Sequence, residues 1–278
     1  MSAAVFFAVL GAAALHASWN AIIRIGASKV TTMLVMTLVQ GALGAALTTR
    51  FALPAAQVWP WLLASGVFHA GYKIFLAFAY EHGDLSRVYP IARGAAPLIV
   101  LVVSFGALDE GLRAQEIAAI LVLGLGILLM GRGVFTSGES GRLIPLALAS
   151  AAMTAGYSLV DGLGARIAGN AAMFVAWLFL LDALLFTPVI LALRGRAVVR
   201  ATAGVWMLGG AAALFSYAAY AIAVWAMTEA PIALVTALRE TSILFAVLIG
   251  WLAFGERMDR TKAAAAALIL AGVVLTRF

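Results

Sequence analysis

Long apolar runs, broken by short clusters of glycine, proline and charge, dominate the chain. They predict ten helical spans, beginning with Ala3–Ile23, Val30–Leu47, Trp59–Ala79, Val88–Leu108 and Ala114–Met130. Five more follow: Leu143–Leu163, Ala171–Leu193, Ala203–Ala226, Ile232–Phe254 and Ala263–Leu275. A helix rises ~1.5 Å per residue, so ~20 apolar residues cross ~30 Å of hydrocarbon. The fifth and tenth runs are short by that measure. The longest polar stretch, GRGVFTSGESGR from Gly131 to Arg142, falls between the fifth and sixth spans. Residues 1–131 and 143–278 then form two five-helix units joined by the linker 132–142.

The two units read as repeats. Residues 93–130 lie on 239–276 without a gap, at a shift of 146, which matches Arg93 with Arg239, Glu110 with Glu256 and Gly126 with Gly272. With a small further shift His69 and Tyr72 fall opposite Tyr217 and Tyr220, and Trp19–Asn20 opposite Tyr157–Ser158. Five is an odd number of crossings, so the halves take opposite orientations. Secondary transporters use this inverted-repeat plan, with the site near the midplane between repeats. Gly41 with Gly44, and Gly124 with Gly126, allow close helix contact.

Composition agrees with a bilayer as solvent. Hydrophobic residues make up 65% and charged residues 11%, against roughly a quarter charged in soluble domains. Mean hydropathy is +1.08. No cysteine is present, which excludes disulfides and cysteine metal or redox sites. The net charge of +6 comes from residues scattered at span ends, with no basic face for nucleic acid. Met1–Ile23 lacks a basic leading segment and is read as a retained helix. There is no HExxH pair or GxSxG elbow, and only three histidines, so enzyme chemistry, metal and cofactor are not expected.

Polar groups inside spans then become informative, because a charge at mid-helix costs ~2.5–3.5 kcal/mol on insertion scales. HASWN (His16–Asn20) and HAGYK (His69–Lys73) each place a histidine, an aromatic ring and a polar group on one helical face. Such a face can stack on a ring or hold an ammonium. Trp19, His69, Tyr72 and Tyr89 are therefore substrate-contact candidates, with Tyr157, Tyr217 and Tyr220 as second-half counterparts. Arg93, four residues beyond Tyr89 and flanking Pro90, is the carboxylate candidate, or else an ion-pair partner. His16, Asn20, Lys73, Asp182, Arg239 and Glu240 are candidates for coupling or gating. Asp182, mid-span in FLLDALL, suits reversible protonation, although a helix-clipping hydrogen bond fits as well. Glu240 can neutralise Arg93 or Lys73. Asp161 is placed at the interface, and Glu110 and Glu256 at the water boundary, where they serve folding or topology.

HASWNAIIRIG in the first span, GDLSRVYPIARGAAPLIV entering the fourth, and the paired endings FGALDE and LAFGER resemble the drug/metabolite transporter superfamily. The ten-helix EamA branch is the most similar, over essentially the whole chain. The resemblance implies a 5+5 inverted repeat around a central cavity and a role as metabolite exporter. Aromatic amino acid exporters of the YddG type are the best-fitting subgroup. Small multidrug members carry an acid in the first helix, whereas here that helix holds His16, Trp19 and Asn20, which counts against proton-driven efflux of lipophilic cations.

Loops after odd-numbered spans hold Arg24, Lys29, Arg87, Arg132, Arg142, Arg194, Arg196, Arg200, Arg257, Arg260 and Lys262; the even loops and termini hold only Arg50, Arg113, Arg166 and Arg277. The positive-inside rule then puts both termini outside. The expectation is an all-α, multi-pass inner-membrane protein, monomeric, moving an amino acid or related metabolite by alternating access. Multidrug efflux on the same fold and a non-transporting membrane scaffold are the alternatives.

Overall fold

The computed structural model describes residues 1–25, 29–82, 85–108, 110–130, 143–255 and 260–277; side chains 24, 25, 29, 77, 80–82, 85–92 and 254 stand outside the description. Every regular element described is helical. The first half contributes α1 (Ala3–Ile25), α2 (Lys29–Thr48), α3 (Trp59–His82), α4 (Leu85–Ala107) and α5 (Ala114–Met130). The second contributes α6 (Leu143–Ala168), α7 (Ala171–Arg194), α8 (Ala203–Glu229), α9 (Ile232–Arg239), α10 (Ser242–Phe254) and α11 (Arg260–Leu275). Nine of the ten expected spans are thus single helices, several a turn longer than the apolar run alone indicates.

The ninth expected span is present as one apolar stretch, Ile232–Ala253, but not as one helix. Residues 232–254 form two helices, interrupted at Glu240 and Thr241. There the backbone tightens to i→i−3 bonds, Glu240 N–H donating to Ala237 O at 3.1 Å and Thr241 N–H to Leu238 O at 3.1 Å. A short 3₁₀ stretch inside an α-helix often marks a hinge or a functional site.

The molecule is turned inside out relative to a soluble protein. Phe7, Val102, Phe105, Met207, Leu214 and Leu252 are exposed, while Lys73, Arg93, Asp161, Asp182, Arg239 and Glu240 are all buried. Trp206 and Trp225 are both exposed on α8. Nineteen residues apart, they stand about 28 Å apart along the helix, close to the hydrocarbon thickness and suited to the two interfaces. Six stretches among the described residues are long and apolar enough to cross a membrane. The chain is a multi-pass α-helical membrane protein.

Packing between helices repeats across the two halves. As α3 packs on α6, α8 packs on α1; as α2 meets α8, α7 meets α3; α4 lies on α6 as α10 lies on α1. Two pairs, α2 with α7 and α5 with α11, pack on their own counterparts. The second of these is reciprocal at the glycines that the shift of 146 matches. A methyl on Gly126 would sit 3.0 Å from the Ala265 carbonyl oxygen, and one on Gly272 3.0 Å from that of Ala119. Gly44 likewise lets α2 reach the Ala176 carbonyl of α7. One apolar cluster is centred on α2, α3, α6, α7 and α8, a second on α4, α5, α9, α10 and α11, and α1 runs through both.

Candidate functional site

Within the first of these clusters lies a chamber lined from both halves. The first half contributes His16 and Trp19 of α1, Met33, Met36 and Gln40 of α2, and His69, Tyr72 and Lys73 of α3. The second contributes Tyr157 of α6, Phe179 of α7, Ser216 and Tyr220 of α8, and Arg239 at the end of α9. Its free volume is about 50 Å³, room for a few waters, so this conformation is contracted.

Aromatic rings form the wall. His69 stacks on Tyr157 with centroids 4.2 Å apart and meets Tyr220 edge-on at 5.1 Å. Tyr72 and Tyr220 each pack edge-on against Tyr157, at 5.8 and 5.9 Å. On α1 the three-residue spacing of HASW does what the pattern predicts. Trp19 Nε1–H donates to His16 Nδ1 at 3.2 Å, which fixes both rings. Asn20, by contrast, returns its amide to the His16 carbonyl at 2.8 Å and is absent from the lining.

Polar networks back the wall. His69 Nε2 lies 2.9 Å from Asp161 Oδ2 and 3.2 Å from the Tyr220 hydroxyl, which itself donates to Asp161 Oδ2. Asp161 is fully buried, which corrects its expected interfacial position. Helix α6 continues to Ala168, beyond the apolar run ending at Leu163, and so carries Asp161 inside. Lys73 Nζ donates to Asp182 Oδ2 and, at 2.8 Å, to Thr37 Oγ1, and sits 5.1 Å from the Phe186 ring. Asp182 therefore belongs to an ion pair between α3 and α7. Arg93 Nε–H donates to Glu240 Oε2 at 2.9 Å, the pairing that the sequence offered as one option for Glu240. Neither Arg93 nor Glu240 lines the chamber, whereas Arg239 does.

One other expected contact lies elsewhere, and another falls outside the described side chains. Tyr217 packs on Phe179 at 4.8 Å, behind the wall rather than in it. Tyr89 belongs to α4, but its side chain lies outside the described residues. Glu256 lies outside them too. Glu110 accepts the Ile232 backbone N–H at 2.9 Å and pairs with Arg166 Nη2 at 3.1 Å, so it caps α9 and serves folding, as its place at a helix end predicts. Gln40, Met33, Met36, Phe179 and Ser216 are lining residues that the sequence reading did not single out. Among the described residues no cluster of three or more His, Asp or Glu is arranged to hold a metal ion.

With chamber and fold in hand, the class is that of a helical membrane protein with a polar-aromatic hollow inside an apolar shell. Residues 142–278 match the EamA-like transporter family, a family of transporters and not of enzymes. None of the curated proteins matches the chain. Among solved structures, one crystal structure described only as that of a protein covers 100% of this chain and 99% of its own, at 20% identity and a TM-score of 0.75. At that identity the likeness is one of fold.

Proposed function

We propose that the whole chain is a ten-span transporter of the EamA branch, built as 1–131 and 143–278 in a 5+5 inverted repeat about the linker 132–142. It exports amino acids, aromatic or other neutral ones, or related small metabolites across an inner membrane by alternating access. The observation that carries this reading is the chamber. Rings and charged groups from six helices of both halves converge on one hollow, in a molecule whose outer surface is apolar. A scaffold has no use for such a hollow, since every charge drawn into it carries a desolvation cost.

Trp19, His69, Tyr72, Tyr157 and Tyr220 are the substrate contacts, Tyr217 stands behind them, and Tyr89 remains a candidate from the sequence. Rocking of one half against the other about this site opens it alternately to each side, and widens a hollow that now has room for only a few waters. The test is uptake of labelled amino acids by purified protein in liposomes, with and without a proton gradient. Tyr72→Ala is expected to lower transport about tenfold or more, the scale of one lost ring contact of ~1.5 kcal/mol, with folded yield unchanged. Uptake by the variant at the parent rate rejects the site.

A further inference from the structure

Among the described residues three Lys and Arg side chains are buried: Lys73, Arg93 and Arg239. Two of them are answered by carboxylates, Lys73 by Asp182 and Arg93 by Glu240. Arg239 is not. Its guanidinium lies 5.0 Å from the centroid of the Tyr220 ring, and among the described residues no carboxylate stands within ion-pair distance of it. Asp161, the acid closest to that ring, is held by His69 Nε2 and the Tyr220 hydroxyl.

The repeat explains the imbalance. At the shift of 146, Arg239 corresponds to Arg93, but Glu240 corresponds to Gly94. The acid exists in one half only and is committed to the arginine of the other half. The 3₁₀ turn separates neighbours by ~120° instead of ~100°, which directs Glu240 to Arg93 while Arg239 keeps to the chamber.

A second, independent observation lies on the same lining. Gln40 is 1% exposed and lines the same hollow, yet both its amide atoms lack a partner in the protein. His16 Nε2, also on the lining, lacks one too. A buried guanidinium without a contact ion pair and an amide without a partner are both costly to fold, and a ring face offsets only part of the first. A planar anion satisfies all three: it suits the guanidinium fork bidentately and accepts from an amide and an imidazole N–H.

We infer that the chamber carries a carboxylate subsite, with Arg239 as its anchor and Gln40 and His16 Nε2 as further donors. This rests on the transport reading and narrows it. The solute is a small carboxylate, zwitterionic or anionic, whose apolar part lies among the rings of Trp19, Tyr72 and Tyr157. Amines without a carboxylate are not substrates.

The experiment uses the full chain in nanodiscs, with calorimetric binding of four acids (alanine, leucine, phenylalanine, 3-phenylpropionate), each paired with its carboxamide. At least one acid is expected to bind, and its amide to bind roughly 10- to 100-fold more weakly, the range for a lost charge-assisted contact. Arg239→Gln is expected to weaken the acid by a similar factor and to leave the amide unchanged. Arg239→Lys is expected to recover part of the loss, and Gln40→Leu to weaken the acid several-fold. Should Arg239→Gln not fold, Arg239→Lys and Gln40→Leu decide the matter. Equal binding of acid and amide, parent-like binding by the variants, or no binding by any of the acids overturns the subsite. Liposome flux separates this from the wider reading. Amides carried as fast as acids would remove the subsite and keep the transporter; acids bound but never carried would do the reverse.

Discussion

Lys73 and Asp182 show how a charge is tolerated at this depth. The ammonium is 4% exposed and the carboxylate fully buried, and each is the other's principal counter-charge, with Thr37 and the Phe186 ring completing the ammonium's surroundings. Removing one member strands the other in a low dielectric, at a cost of about 3–5 kcal/mol, whereas replacing both with apolar groups of similar volume is close to neutral. Asp182→Leu alone is thus expected to lower the thermal midpoint in detergent sharply, and Lys73→Met with Asp182→Leu to restore most of it. Scanning fluorimetry of the two variants checks this; a double variant as unstable as the single would show that the pair is not the source of the loss. At this same scale the sequence told much. His69, Tyr72, Lys73 and Trp19 were marked by being polar or ring-bearing at helical spacing, and all four line the hollow. Gln40 carries a comparable signal, as the single amide side chain in the apolar run from Val30 to Leu47, but without a ring beside it the signal is weaker. Phe179 and Met33 gave no such signal, since apolar side chains in a membrane span look alike whether they face lipid, protein or a cavity.

At the scale of elements, Glu110 ties the halves together. It stands in the α4–α5 connection, yet it caps α9 by accepting from Ile232 N and pairs with Arg166 of α6. Arg166 in turn donates to the Met227 and Ala230 carbonyls at 2.8 and 2.9 Å, closing the end of α8. An acid at a helix N-terminus contributes on the order of 1 kcal/mol through the cap and the dipole. Glu110→Ala is expected to lower stability by about 1–2 kcal/mol, with Glu110→Gln recovering part because the amide oxygen still accepts. Chemical denaturation in mild detergent measures both, and an alanine variant as stable as the parent removes the clasp. Sequence pattern located these helices well because span length is dictated by the bilayer. It missed the break at Glu240–Thr241, where no proline or glycine intervenes and only an adjacent Arg239–Glu240 pair stands out. The break is set by tertiary demand, one charge claimed by Arg93 and the other by the chamber.

For the molecule as a whole, the informative quantity is the volume of the hollow. Ser216 lies on its wall, so Ser216→Trp fills it with a ring larger than the present free space. Transport is expected to fall to background while the protein still reaches the membrane folded; liposome flux beside a gel-filtration profile gives the result, and undiminished flux would put the pathway elsewhere. The symmetry of the helix contacts was legible through Arg93 with Arg239 and Gly126 with Gly272, residues rare or small enough for their recurrence to carry meaning in an alanine- and leucine-rich chain. The chamber's small free volume was not legible, because a sequence specifies which groups meet and not how far apart they stand.

The tightened turn at Glu240–Thr241 has a mechanical corollary. An α residue advances the chain by ~1.5 Å and ~100°, a 3₁₀ residue by ~2.0 Å and ~120°. Converting two residues from one form to the other twists α10 by about 40° and translates it by about 1 Å along its own axis, while α9 stays seated on Glu110. A conversion of this kind would turn α10 without uncapping α9.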